Sequence, residues 1–273
     1  MSSNEGSMAR VTAVASGKGG VGKTNVSVNL AVALARQGER TILVDCDMGL
    51  ANAGILMGLD GSWTIADLLA RHCSLEDAVR TGPGGLRFLP GHSGTGIGST
   101  LSAVERRRLI GALRAETAGF DHVIIDTGGG LGADGLALVA EADRALIVLA
   151  PEPTSFMDAY ALVKALAVGH ERKAFCILTN MVENDQAGAE LFDHFETVIT
   201  RFLDVKLTHA GSVPDDRYVR ESVFRKRCCV EAFPSSRAAK AFTRLAGRVA
   251  ARQLPAFFTG RPAASLEPCH GAR

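Results

Sequence analysis

Residues 17–24 read GKGGVGKT, and this stretch decides the fold of the 273-residue chain. Residues 11–16 before it are mostly small or β-branched, which is typical of a buried strand. The alanine-rich run after it reaches Gly38 without a helix breaker, which predicts a helix. A strand, a glycine-rich loop and a helix in this order are the setting in which the pattern G-x-x-x-x-G-K-[ST] binds phosphate groups.

The residue types of this loop suit the phosphates of a nucleotide. Glycines let successive backbone N–H groups converge on phosphate oxygens, and the helix that begins near Lys23 adds the positive end of its dipole. Lys23 supplies a charge for the β- and γ-phosphates, and Thr24 supplies a hydroxyl for Mg²⁺. We therefore expect the nucleotide to contact Gly17, Lys18, Gly19, Gly20, Val21, Gly22, Lys23, Thr24 and Asn25.

A second lysine, Lys18, stands at the start of the loop, although Lys23 already serves the loop's own phosphates. This feature resembles the deviant Walker A signature of the MinD/ParA-type ATPases. In that family the second lysine reaches across a dimer interface to the partner's nucleotide. The resemblance therefore implies a homodimer with ATP between the subunits, in which Lys18 and Lys23 are both catalytic.

Two further predicted strands end in carboxylates, at the edge where α/β sheets bind ligands. Residues 40–44 lead into Asp45 and Asp47, and residues 121–125 lead into Asp126 and the glycines at 128–130. Asp45 would support Mg²⁺ or Lys23, Asp126 would hold Mg²⁺ through water, and Asp47 would orient the attacking water. An Asp-x-Asp pair on its own is typical of a solvated turn or a helix cap. After this phosphate loop it resembles the family's switch I, while DTGGG replaces the family's usual DTAAG or DTPAG in switch II.

Residues farther along the chain are candidates for binding the base. Asn180 ends a predicted strand, and its amide has the donor and acceptor that pair with adenine. A guanine-specific N-K-x-D is missing after it, so we expect ATP as the cofactor, with Mg²⁺. In relatives the loop that begins at Pro214 and Asp215 closes over the base. The resemblance also implies that Glu152 and Asp158 pair with Lys18 in the monomer; two capping or solvated carboxylates are the alternative.

Composition and patterning bound the remaining possibilities. The net charge is +1, which argues against a strong positive electrostatic field that would attract nucleic acid in general. The sequence contains no run of about 18 apolar residues, so we expect no transmembrane helix. Six cysteines without C-x-x-C are typical of reduced thiols in the cytoplasm. We predict a flexible N-terminus (1–9), one α/β domain (10–253) with a mostly parallel twisted sheet between helices, and a tail (254–273). Within the domain, the pattern also predicts a helix at 62–71, a glycine-rich loop at 91–98 and a helix at 102–117.

The last predicted helix, at 236–252, has an apolar stripe and a basic stripe. Such a helix either lies on anionic lipid or packs its apolar stripe on the domain and leaves its basic face in solvent. We favour packing on the domain, because it is the more common arrangement of such a helix. The prolines that follow also prevent a long helix in the tail. Membrane contact is therefore expected to be weak or absent.

The segments EPTSFMDAYALVK, TNMVEND, RFLDVKL and VEAFPSS look like the FleN/FlhG branch of the family, whose members regulate flagellar number. The likeness covers residues 8–255, although the branch's DQAxxLR-type motif and a clear membrane helix are missing. It implies a switch ATPase with slow turnover, in the cytoplasm, at the cell pole or transiently at the inner membrane. Its expected partners are a flagellar transcriptional activator of the AAA+ class and the polar GTPase FlhF, with no specific nucleic acid.

Three alternatives remain open on the sequence alone. A ParA-type segregation ATPase would bind DNA without sequence preference, and its affinity would fall steeply with salt. A MinD-type cell-division ATPase would need a clear terminal membrane helix. A synthetase that activates a carboxylate with ATP would need a pocket for a small substrate.

The two loop lysines should differ in their effect on ATP binding. Lys23→Ala should abolish binding, because backbone N–H groups alone compensate the charge of the β- and γ-phosphates poorly. Lys18→Ala should still bind ATP as a monomer, because its charge serves the partner's nucleotide. Isothermal titration calorimetry checks both variants, and an unchanged ATP affinity in Lys23→Ala would contradict the nucleotide site.

Overall fold

A computed structural model gives the structure of the chain and describes residues 9–47, 52–59, 63–91, 104, 111 and 119–256. The strands in these ranges are β1 (Arg10–Ala15), β2 (Thr41–Cys46), β3 (Arg80–Thr81), β4 (Arg87–Leu89), β5 (His122–Thr127), β6 (Arg144–Leu149), β7 (Ala174–Val182) and β8 (Lys206–Pro214). The helices with clear bounds are α1 (Lys23–Arg36), α2 (Ile65–Leu69), α3 (Leu75–Ala78), α4 (Ala133–Glu141), α5 (Pro153–Gly169), α6 (Asp185–Phe202), α7 (Arg217–Phe224), α8 (Cys229–Ala232) and α9 (Arg237–Ala250). Two short 3-10 helices lie at Ile55–Met57 and Pro83–Gly85.

Together the strands form one sheet in the order β3-β4-β2-β5-β1-β6-β7-β8. Neighbouring strands are parallel except for β3 and β4. Alternate residues face opposite layers: Val14 and Ile124 pack with α1, α8 and α9, whereas Val123 and Ile125 pack with α4, α5 and α6. Helices thus cover both faces, as a parallel sheet requires, and the predicted fold class is confirmed.

The parallel strands bring the candidate site together at one edge of the sheet. β5 lies between β2 and β1, and all three run in the same direction. In this register Asp126 lies opposite both Asp45 of β2 and Val14 of β1. The loop after β1 therefore meets both carboxylates, although the chain reaches β5 long after it has left β1.

Helix α1 connects the loop to a distant part of the chain. Asn29 is fully buried; its amide donates to the Asn25 carbonyl (2.8 Å) and accepts from the Val230 N–H (3.0 Å) of α8. Arg36 donates to the Val230 carbonyl at 3.1 Å. These contacts fix α8 against the helix that begins at the phosphate loop.

Helix α9 packs its apolar stripe on the domain, as expected. Phe242, Leu245 and Val249 are at most 2% exposed, whereas Lys240 and Arg244 of the basic stripe are exposed. Packing on the domain therefore accounts for the apolar stripe, and the basic stripe faces solvent. In the described part of the chain, no helix is long and apolar enough to cross a bilayer.

The packed domain extends beyond residue 253, where we expected the tail to begin. Leu254 is 1% exposed, and its carbonyl accepts a hydrogen bond of 2.9 Å from Arg144 at the start of β6. Arg144 is itself buried and also donates to the Thr12 hydroxyl at 3.2 Å. The sequence did not predict this contact between Leu254 and Arg144. The spacing of prolines indicates where a helix cannot continue, but it does not indicate where the packed domain ends.

Some predicted elements differ from the structure or lie outside it. The helix expected at 62–71 is shorter, Ile65–Leu69, and begins after a capping box between Thr64 and Asp67. The loop expected at 91–98 and the helix expected at 102–117 lie outside the described residues, apart from positions 91, 104 and 111.

The bond between α1 and α8 predicts a large loss of stability in Asn29→Ala. This variant leaves the buried Val230 N–H without its acceptor and should lower the free energy of unfolding by about 2–3 kcal/mol. Gln37→Ala is the matched control, because this exposed amide at the end of the same helix donates to the Thr243 carbonyl; its cost should stay within about 0.5 kcal/mol. Urea denaturation measures both values, and equal losses would contradict this role of Asn29.

Candidate nucleotide site

Two glycines set the path of the loop that follows β1. At Gly17, a Cβ atom would lie 2.1 Å from the Asp158 backbone, so the loop begins in direct contact with α5. Gly22 has φ +84°, and a Cβ there would lie 2.5 Å from the Asn180 amide nitrogen. Larger residues at these positions would push the loop away from its supports. The loop therefore lies between α5 and β7, and the cradle of backbone N–H groups expected there remains a prediction.

A buried ion pair lies directly beneath the loop. Lys23 Nζ is 2.9 Å from Asp126 Oδ1, and their side chains are 7% and 1% exposed. Ser27, one turn after Lys23 on α1, donates to the same oxygen at 2.8 Å. The other oxygen, Asp126 Oδ2, is buried and has no hydrogen-bond partner in the structure. An unpaired carboxylate oxygen at this depth fits the expected water-mediated contact with Mg²⁺.

Asp45 lies beside Asp126 and is equally buried. Its Oδ1 accepts from the Asp47 N–H and its Oδ2 accepts from the Ala53 N–H, both at 3.1 Å. Burial, together with the negative charge of Asp126, raises the pKa of Asp45 to about 7. A divalent cation close to both carboxylates would relieve this repulsion, which supports the prediction that Asp45 serves Mg²⁺.

Thr24 adds a hydroxyl to this donor set, because it is the second residue of α1 and is half-buried. Among the described residues, no group of three or more His, Cys, Asp or Glu side chains could hold a metal alone. The hydroxyl and the two carboxylates fit Mg²⁺, which prefers oxygen ligands and usually completes its shell with water and phosphate. The metal would therefore bind together with the nucleotide.

The glycine run after β5 closes the site from the other side. A Cβ on Gly128 would lie 3.8 Å from Asp47 Oδ1, and a Cβ on Gly129 would lie 3.2 Å from the Gly19 nitrogen. The Gly130 N–H donates to the Ser16 carbonyl at 3.0 Å. Asp47 thus faces the predicted switch II, and this glycine run rests directly on the phosphate loop.

Lys18 does not point into its own loop. Its Nζ lies 2.6 Å from Glu152 Oε2 and 2.7 Å from Thr154 Oγ1, just before and within the first turn of α5. The expected pairing with Glu152 is therefore present. Asp158, the other expected partner, instead contributes backbone against Gly17. Thr154 was not predicted as a partner of Lys18, and its position two residues after Glu152 was the feature that could have indicated it.

Asn180 supports the loop in this structure. It is 5% exposed, and its amide donates to the Val21 carbonyl at 2.8 Å. Asp215 is exposed beyond the end of β8, and its N–H donates to the Val182 carbonyl at 2.7 Å. Contact of Asn180, Pro214 and Asp215 with adenine remains a prediction.

Comparison with known proteins agrees with this geometry. Residues 9–174 match the model of a family described as an AAA domain. The chain is 44% identical over 247 residues to the antiactivator FleN of Pseudomonas aeruginosa, covering 90% of this chain and 88% of FleN. It is 30% identical over 220 residues to the flagellum site-determining protein YlxH of Helicobacter pylori, covering 78% and 74% of the two chains. The chain belongs to the MinD/ParA-type ATPases, in the FleN branch.

A solved structure of this family extends the likeness to a nucleotide complex. MinD of Pyrococcus horikoshii, complexed with Mg-ADP, has a TM-score of 0.71 and 25% identity, covering 89% of this chain and 96% of that one. Membership in the MinD/ParA-type ATPases supports nucleotide and Mg²⁺ binding by the chain. The buried carboxylates and the glycine loop described above remain the predicted binding groups.

The raised pKa of Asp45 predicts how stability changes with pH in the nucleotide-free protein. The folded state keeps the proton up to about pH 7, whereas an unfolded chain releases it near the ordinary value of 3.8. Stability therefore falls as pH rises through this window, and Asp45→Asn removes the fall. From pH 5 to pH 8, the free energy of unfolding of the variant should rise by about 3 kcal/mol relative to wild type.

Urea denaturation at several pH values provides this measurement. Any constant effect of the amide cancels in the comparison between pH values. Parallel pH profiles for the variant and wild type would contradict the raised pKa.

Proposed function

We propose that this chain is an ATP-dependent dimerising switch that regulates flagellar number and placement by restraining a flagellar transcriptional activator. The likeness to an antiactivator over nine-tenths of the chain supports the regulatory role. The proposal of an ATP-dependent switch rests on the position of Lys18. Its side chain pairs with Glu152 and points away from the loop that contains it.

The residues of the site have separate roles in binding and hydrolysing the nucleotide. Lys23, Thr24 and the loop N–H groups bind the phosphates and Mg²⁺, while Asp45 and Asp126 orient the metal through its water shell. Asp47 lies close to the switch II glycines and orients a water for attack. Bound Mg·ATP supplies the phosphoryl group that is transferred to this water. Hydrolysis is slow, because the monomer lacks a second cation at the phosphates.

Lys18 supplies this second cation only in the dimer. Its contact with Glu152 is partly exposed, with side chains 28% and 55% accessible, and pairs of this kind contribute about 0–1 kcal/mol. The γ-phosphate of a partner subunit carries more charge in a drier site and would compete successfully for Lys18. Dimerisation therefore follows ATP binding, and hydrolysis ends it.

The ATP dimer is the state that partner proteins recognise. We propose the AAA+ flagellar activator and the polar GTPase FlhF as these partners, acting in the cytoplasm and at the cell pole. The net charge of +1 and the buried stripe of α9 favour protein partners over nucleic acid or membrane.

Lys18→Ala should bind ATP but lose ATP-dependent dimerisation, and phosphate release should fall with it, because the transferring phosphoryl group loses a cation. Lys164→Ala is the matched control, since this exposed lysine lies on α5 away from the Glu152 contact; it should behave like wild type. Asp47→Ala should bind ATP and form a dimer that persists, because the water is no longer oriented.

Size-exclusion chromatography with light scattering, in ADP and in ATP, and a phosphate-release assay distinguish these variants. A Lys18→Ala protein that dimerises and hydrolyses like wild type would rule out the trans-lysine mechanism. The chain would then be better described as an ATP-dependent enzyme of the same fold.

A further inference from the structure

A buried serine on α1 contacts the carboxylate that we expect to orient the metal. Ser27 is 0% exposed and stands between Val26 and Val28, which are equally buried. A hydroxyl at this depth is costly unless it makes a hydrogen bond, and alanine has the higher helix propensity. We therefore expect the serine to contribute something other than packing.

The hydroxyl of Ser27 has two acceptors within reach. Its Oγ lies 2.8 Å from Asp126 Oδ1 and 3.1 Å from the Lys23 carbonyl, one turn earlier on the same helix. A hydroxyl has one hydrogen to donate, and a hydrogen bond to an ionised acceptor is shorter and stronger than one to a neutral acceptor. The shorter distance and the negative charge both favour donation to Asp126.

Ser27 and Lys23 bind the same oxygen of Asp126 and leave the other oxygen available. Lys23 Nζ lies 2.9 Å from Asp126 Oδ1, whereas the buried Oδ2 has no hydrogen-bond partner in the structure. The two donors therefore restrict the rotation of the carboxylate group. Their common choice of oxygen determines which oxygen is left for the water shell of a metal ion.

The two donors differ in how they respond to Mg·ATP. The phosphates attract the Lys23 ammonium group, and a divalent cation near Asp126 repels it, so both effects weaken the contact between these two residues. The Ser27 hydroxyl carries no net charge and is subject to neither effect. Its position is also fixed, because Asn29 on the same helix accepts a hydrogen bond from Val230 of α8 and holds α1 in place.

We propose that Ser27 is a positioning residue for Mg²⁺. It keeps Asp126 Oδ1 occupied when Lys23 turns to the phosphates, so that Oδ2 stays directed at the water shell of the metal. Loss of a side chain that orients a metal-binding group typically lowers metal affinity by about 10–100-fold. The inference rests on the magnesium site of the proposed function and adds the residue that holds its carboxylate. It depends neither on the dimer nor on the flagellar role.

Titration with fluorescent N-methylanthraniloyl-ADP, once with saturating Mg²⁺ and once with EDTA, measures the gain in nucleotide affinity that the metal provides. ADP is the probe because it is not hydrolysed and does not require the proposed dimer. In Ser27→Ala this gain should be about tenfold smaller than in wild type. Affinity in EDTA should change little, because without the metal Lys23 can contact both Asp126 and a phosphate through its three donors.

Ser27→Cys separates the hydrogen bond from packing. Cysteine fills nearly the same volume, but its S–H group is only a weak donor, so this variant should lose most of the same gain. Ser222→Ala is the matched control, since Ser222 is 1% exposed on α7 and donates to the Val219 carbonyl at 2.7 Å. Its dependence on Mg²⁺ should equal that of wild type. Urea denaturation checks that each variant is folded.

The outcomes separate this inference from the proposed site. A wild-type dependence on Mg²⁺ in Ser27→Ala or in Ser27→Cys would overturn the positioning role and leave the nucleotide site standing. An equal loss of affinity with Mg²⁺ and in EDTA would show that the serine supports only the fold of the loop, which also overturns the inference. If wild type itself binds the nucleotide equally well with Mg²⁺ and in EDTA, the proposed magnesium site fails, and the inference fails with it.

Discussion

The buried pair between Lys23 and Asp126 is the interaction on which the rest of the site depends. It joins the first residue of α1 to the end of β5, and Ser27 bonds to the same carboxylate oxygen. Breaking a pair this deep would leave an uncompensated charge in the interior, which costs about 3–5 kcal/mol. The pair therefore fixes the phosphate loop over the sheet before any nucleotide arrives. It also leaves the buried Asp126 Oδ2 without a hydrogen-bond partner beside Asp45, whose pKa is raised by burial and by the Asp126 charge, and a bound cation would stabilise both carboxylates in their ionised form.

The second loop lysine is governed by a weaker contact, and this contrast makes a switch possible. Lys18 is held by Glu152 and Thr154 at the surface, where solvent screens the attraction. The close approach of Gly17 to the α5 backbone brings the start of the loop and these partners together. The strong buried pair of Lys23 and Asp126 thus fixes the binding site. The weak exposed pair of Lys18 and Glu152 holds a lysine that can change partners.

The sequence predicted those parts of the site that depend on local pattern. The strand, the glycine loop and the first helix follow one another along the chain. Asp45 and Asp126 each lie at the end of a predicted buried strand, so their position at the same edge of the sheet was predictable. The pairing of β2 with β5 depends on strand order, which local periodicity does not encode. Thr154, Asn29 and Arg144 were missed for a related reason: each acts on a distant segment. Ser27 was accessible to sequence reasoning, because it lies four residues after Lys23 on the same helix face.

The central claim is that Lys18 leaves Glu152 for the nucleotide of a partner subunit. A crystal structure of the Asp47→Ala protein with Mg·ATP tests it most directly, because this variant should hold the dimer before hydrolysis. We expect two subunits facing each other, with Lys18 Nζ within hydrogen-bond distance of a phosphate bound to the partner and no longer on Glu152. A nucleotide-bound monomer, or a dimer in which Lys18 still contacts Glu152 of its own chain, would contradict it.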